Sequence, residues 1–166
     1  MMTQTLTFLF FPALMAFAAS SDLFTMTISN RVALVVVAGF FVMAMFSGMN
    51  LQVVIWHVAA ALAVLAVTVV FFARGWIGGG DAKLAAATSL WLGFDYLLPY
   101  IVYASIFGGI LTLALLRFRQ MPLPMALAKQ DWVERLHKAG NGVPYGIALA
   151  AAALLIYPDT AWMQPG

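Results

Sequence analysis

The sequence has no cysteine and very little charge: of 166 residues, only 8% are Asp, Glu, Lys or Arg. Without a thiol, disulfides, cysteine nucleophiles and thiolate metal sites are excluded together. Histidine occurs twice, at His57 and His137, in segments expected on opposite faces of a membrane, so no metal site is expected. The glycines offer no phosphate loop and no dinucleotide fingerprint, and no cofactor is expected. The eight basic residues are scattered between apolar runs and make no basic face, so the high isoelectric point does not point to a nucleic-acid partner.

What fills the chain instead is hydrocarbon. Hydrophobic residues make up 64%, against roughly 45–50% in soluble domains. Several nearly uncharged runs approach the ~20 residues that cross a ~30 Å bilayer core. The expected fold is all-α and polytopic, a single membrane-embedded unit over residues 1–166. About six spans are read: Leu6–Ala19, Val32–Phe46, Val53–Phe72, Ala82 to about Phe94, Tyr96–Leu116 and Val143–Tyr157. Ala16-Phe17-Ala18 has the small-x-small pattern of a signal-peptidase site. No Lys or Arg precedes Arg31, however, so the first span is expected to stay uncleaved.

The charges orient this arrangement. With the N-terminus outside, Arg31, Arg74, Lys83, Arg117, Arg119, Lys129, Arg135 and Lys138 all fall in cytoplasmic loops, as the positive-inside rule requires. Both termini are then outside. In the longest loop, 117–142, a helix-breaking Met121-Pro122-Leu123-Pro124 precedes Met125, Ala128, Trp132 and Leu136 at helical spacing. That pattern suits either a short helix on the cytoplasmic leaflet or a solvated connector. Trp76, Trp91 and Trp162 are candidate interface anchors.

Among six acids, Asp95 and Asp159 fall outside, and Asp131 and Glu134 are interleaved with bases in the long loop. Asp22, closing the first span, and Asp81, opening the fourth, remain at one depth on the cytoplasmic side. Two carboxylates that meet can hydrolyse a peptide: one ionised to activate water, the other protonated to donate to the carbonyl, the pair sharing a proton. Each could instead merely mark a membrane boundary. Gly78-Gly79-Gly80 before Asp81 suggests either positive φ or close approach of backbone to a ligand. Lys83 is read as a positive-inside anchor, or as a group that holds Asp81 ionised or binds substrate. Asn30 is read as the cap of the second span, or as a group orienting substrate. By helix dipole, Asp81 is the expected base and Asp22 the expected proton carrier.

Gly78-x-Gly80-Asp81 resembles the Gly-x-Gly-Asp signature of intramembrane aspartyl proteases. Ala82-Lys83-Leu84 with Trp91-Leu92-Gly93, Asp22 followed by Asn30, and Gly142-Val143-Pro144-Tyr145-Gly146-Ile147-Ala148 are similar to prepilin peptidases, closest to the short branch serving Flp-type (Tad) pili. The resemblance implies cleavage of type IV prepilin leaders at the cytoplasmic face of a bacterial inner membrane, with Asp22 and Asp81 catalytic. The segment Phe24-Thr25-Met26-Thr27 with Ser29 departs from the family's basic and proline residues there. With no cysteine and no large cytoplasmic loop, peptidase activity without N-methylation is expected. A non-catalytic subunit of a pilus or secretion machine and a small proton-coupled transporter remain the alternatives.

Overall fold

The computed structural model describes residues 2–163, and among these no strand forms. The helices are α1 (Met2–Thr25), α2 (Asn30–Phe46), α3 (Leu51–Ala73), α4 (Gly79–Leu92), α5 (Leu97–Gln120), α6 (Met125–Ala128), α7 (Asp131–His137) and α8 (Tyr145–Ile156), with a 3-10 turn at Tyr157–Asp159. Phe8–Thr25 of α1, together with α3 and α5, is long and apolar enough to cross a bilayer; α2 and the segment Tyr145–Asp159 are shorter apolar helices. The protein is a membrane protein.

Composition decides which helices lie inside. In α4, the run Ala85-Ala86-Ala87-Thr88-Ser89 lets neighbours approach closely, and every residue from Leu84 to Leu92 is buried. In α8 the small residues Gly146, Ala148, Ala150, Ala152 and Ala153 are buried in the same way. Small residues at helix interfaces are how packing is gained where lipid offers no hydrophobic drive. Against this inner pair, α3 packs along α4, α5 along α8, α1 along α8, and α2 along α4 and α1. The outer faces of α3 and α5 carry exposed Leu62, Val69, Ile106 and Ile110. At 14 residues and 1.5 Å per residue, α4 is shorter than a bilayer core and is sheltered by its neighbours.

Away from Asp22 and Asp81, an aromatic cluster locks the helices together. Trp91 is fully buried, with tilted ring contacts to Phe11 at 5.0 Å and Trp162 at 5.1 Å. Its indole N–H donates to Val36 O at 2.9 Å, and Trp162 Nε1 donates to Trp91 O at 2.8 Å. A buried indole is tolerated because its single donor is satisfied. Trp91 and Trp162 are therefore core residues and not the interface anchors expected; Trp76 is exposed.

The long loop is also rearranged. The expected single apolar stripe is broken after Ala128: Met125 is exposed, while Val133 and Leu136 are buried. Trp132 packs edge-on against Phe24 at 5.4 Å, and Arg135 Nη2 donates to Phe24 O at 2.8 Å. Thus α7 clasps the last turn of α1, the turn that carries Asp22.

Candidate active site

Helix α1 does not stop at Asp22. It runs to Thr25 and ends where Met26 takes φ 53°, with Met26 N–H closing on Asp22 O at 2.8 Å. A left-handed residue just past the last turn is a common helix stop. The extended strap that follows is tied back to α1 by Ser21 Oγ and Thr25 Oγ1, which donate to Thr27 O at 3.1 and 3.2 Å. This sets Ile28 between the N-terminal turns of α4 and α8.

Those turns explain the glycines. Gly79 and Gly80 lie inside the first turn of α4, capped by Gly78 in extended geometry, and none of the three has positive φ. The requirement is close approach. A Cβ at Gly80 would stand 3.1 Å from both Ile28 Cβ and Ile28 O, and one at Gly78 would stand 3.0 Å from Asp81 Oδ2. Gly80 thus receives the chain's own strap: of the two expectations close approach holds, and what approaches is Ile28 instead of a ligand. Gly79 packs against the Phe72 ring in the same sense.

Gly146 completes the centre. Its N–H, in the first turn of α8, donates to Asp22 Oδ2 at 2.7 Å. A Cβ there would fall 2.8 Å from Asp22 Oδ2 and 2.7 Å from Ile28 Cδ1. Asp81 faces the amides of Gly78 and Gly146 and feels the charge of Asp22. Two carboxylates from distant parts of the chain therefore converge on one backbone donor, with Asp22 buried and Asp81 partly exposed. Like charges brought together in a site screened from water oppose each other's ionisation.

This arrangement removes the dipole argument for unequal roles. Asp22 has most of a further turn of helix after it, and its carboxylate meets the Gly146 amide at the N-terminus of α8, where an anion is favoured just as at α4. The base and the proton carrier are not distinguished by helix ends.

The remaining candidates separate from the dyad. Asn30 is the first residue of α2 and caps nothing; its Oδ1 accepts from Lys83 Nζ at 2.7 Å. Lys83 is turned to Asn30 and forms no ion pair with Asp81. Among the described residues no cluster of three or more His, Cys, Asp or Glu suits a metal ion.

Asp81 opens on a groove of about 880 Å³. It lies between α3 and α5, which share no packed interface, and is floored by α4 and α8. Ala63, Val67, Ile101 and Leu113 line it with apolar surface, and Thr68, Tyr100, Ser105 and Tyr145 interrupt that surface with hydroxyls. Helices α1 and α4 touch at Phe11–Trp91 and Met15–Thr88, and no described residue of α1 lines the groove. The open space is thus on the α3–α5 side of Asp81, away from α1.

A model of the type IV leader peptidase family matches residues 9–113, well over half of the chain and including both aspartates. The chain belongs to the type IV leader peptidase family. Aspartic-type peptidase activity is the activity of that family. Curated proteins and solved structures yield no match to the chain. The leader peptidase match stops before α8, so Gly146 and Tyr145 rest on geometry alone. Sequence reading missed Gly146 as a site residue. The available signal was a glycine in the first turn of an otherwise Ala- and Leu-rich helix, directly after Pro144-Tyr145.

Proposed function

We propose that residues 1–166 form one membrane-embedded peptidase that removes the leader from Flp-type (Tad) type IV prepilins, with Asp22 and Asp81 as its catalytic dyad. The observation that carries the reading is the convergence of both carboxylates on the Gly146 amide, beside a groove open between α3 and α5. The chain crosses the bacterial inner membrane six times with both ends outside, and the dyad is at the cytoplasmic face. Support comes from the basic residues: Arg31, Arg74, Lys83, Arg119 and Arg135 belong to the same helix ends and connections as the two aspartates.

The apolar segment of the prepilin enters the α3–α5 groove from the bilayer and presents its scissile bond to Asp81. The ionised carboxylate of the pair takes a proton from water as its oxygen attacks the peptide carbonyl carbon. The protonated carboxyl donates to the carbonyl oxygen. Collapse of the tetrahedral species breaks the C–N bond, and the departing nitrogen receives a proton from the dyad. No covalent enzyme intermediate forms. The Gly146 amide holds Asp22 in place, and the Ile28 strap keeps it dry.

Reconstitution of the full chain in liposomes with a Flp-type prepilin, followed by mass spectrometry of both products, tests this reading. The expected result is one cut with a free, unmethylated new N-terminus. An intact prepilin, or a product carrying an added methyl group, contradicts it.

A further inference from the structure

Tyr100, in the first turn of α5, is only 2% exposed, yet it lines the groove that contains Asp81. Among the described residues its hydroxyl is the buried side-chain polar atom that lacks a hydrogen-bond partner. Thr88 is a polar neighbour, but Thr88 Oγ1 is directed to Met15 Sδ at 3.6 Å. A buried hydroxyl left unpaired bears its desolvation cost with no hydrogen bond to offset it. Phenylalanine would fill the same space without that cost. Lipid tails entering the groove bring no polar atom to relieve it. An occupant of the groove can bring the acceptor that this donor lacks.

The position of the hydroxyl indicates which part of the occupant it meets. Tyr100 is within the electrostatic reach of Asp81, and its neighbour Thr88 stands about two turns farther along α4, roughly 10 Å at 1.5 Å per residue. The hydroxyl therefore lies deeper in the bundle than the dyad, on the side away from the basic loops.

We propose that Tyr100 is a specificity-determining residue whose hydroxyl donates a hydrogen bond to an acceptor on the membrane-buried side of the scissile bond of the bound prepilin. This rests on the leader peptidase reading above. The acceptor is a side-chain oxygen or a backbone carbonyl freed by local unwinding. It falls within about three residues of the scissile bond if that stretch is extended, and within about seven if it is helical. A mostly apolar groove with one unpaired donor recognises a mostly apolar segment that carries one acceptor.

Two measurements separate this proposal from the reading it rests on. Binding of a fluorescently labelled Flp-type prepilin is measured in liposomes to the full chain carrying Asp22→Asn, with and without Tyr100→Phe. Cleavage by the wild-type chain is measured in parallel. Tyr100→Phe should weaken binding roughly 5- to 30-fold, the equivalent of one hydrogen bond of about 1–2 kcal/mol, while leaving thermal stability unchanged or raised. In an alanine scan of the first seven or so prepilin residues after the cut, one position should weaken binding to the tyrosine form by the same factor and leave binding to the Tyr100→Phe form unaffected. Equal binding by the two forms overturns the proposal, even if the wild-type chain cleaves normally. Weaker binding together with a lower melting temperature and no coupled prepilin position also overturns it, by making Tyr100 a support of the fold. If the wild-type chain binds the prepilin with the expected Tyr100 dependence but does not cut it, the contact stands and the peptidase reading fails. If the prepilin does not bind at all, both fail.

Discussion

Adding one methyl group at Gly146 tests the centre of the site. In Gly146→Ala the new Cβ would stand 2.8 Å from Asp22 Oδ2, 3.1 Å from Asp22 Cβ and 2.7 Å from Ile28 Cδ1. The first and last of these are too short for any Cβ contact and the second is tight, so something must move. Ile28 can swing its terminal carbon away at modest cost. Asp22 can yield only by withdrawing its carboxylate from the Gly146 amide, which breaks a 2.7 Å hydrogen bond. A hydrogen bond to a charged group contributes about 1.5–3 kcal/mol, and overpacking a tight site costs another ~1–3 kcal/mol in stability. If the first quantity is lost from the transition state, cleavage slows roughly 10- to 150-fold. The two costs can be told apart with Gly146→Ala/Ile28→Ala. Removing the Ile28 side chain relieves one clash and should recover part of the melting temperature, but the carboxylate stays displaced and the rate stays low. The assay is conversion of prepilin to its shorter product in membranes, normalised to folded enzyme. Cleavage by Gly146→Ala within about twofold of wild type would refute the reasoning, because the methyl group would then have been accommodated without disturbing Asp22.

Two further outcomes follow from the same geometry. Gly80→Ala sets a Cβ against the Ile28 backbone, which cannot rotate away; it should lower stability by about 1–3 kcal/mol, read as a fall in melting temperature, and a melting curve identical to wild type would contradict the role given to the strap. Lys83→Met loses the hydrogen bond to Asn30 at an exposed position, worth at most about 1.5 kcal/mol; prepilin cleavage should stay within roughly threefold of wild type, whereas loss of activity on the scale of an aspartate variant would restore Lys83 to the chemistry.

Local signals in the sequence were read correctly where the physics is local. Apolar runs located every long helix, and Gly78-x-Gly80-Asp81 marked the mouth of α4. The two carboxylates stood out because so few charges compete with them. The readings that failed are those decided by contacts far apart in the chain. Asn30 has a residue type and position suited to capping, but Lys83, 53 positions later, uses its side-chain oxygen. The glycine triplet suggested positive φ or close approach to a ligand; close approach holds, but at Gly80 the partner is the Ile28 strap, far earlier in the chain, and no ligand. Gly146 lies 124 positions from the carboxylate it holds. Tryptophan at a span end fits an interface anchor equally well, and only the packing of Phe11, Phe40 and Trp162 around Trp91 makes it core. The dipole argument for Asp22 failed for the same reason: α1 was considered without α8, whose N-terminus meets it.

The claim on which the rest depends is that Asp22 and Asp81 act as one catalytic pair. Asp22→Asn and Asp81→Asn, each in the full chain with a cognate prepilin, test it most directly, since each replaces a carboxylate by an amide of nearly the same shape. A general acid–base contribution of this kind is worth at least ~10²–10⁴ in rate, and a dyad that shares one proton fails when either member is lost. The account predicts that each variant folds, inserts and binds prepilin, and that neither cleaves it detectably. Near-normal processing by either variant would contradict it, and would leave the chain as a membrane subunit that holds prepilin without cutting it.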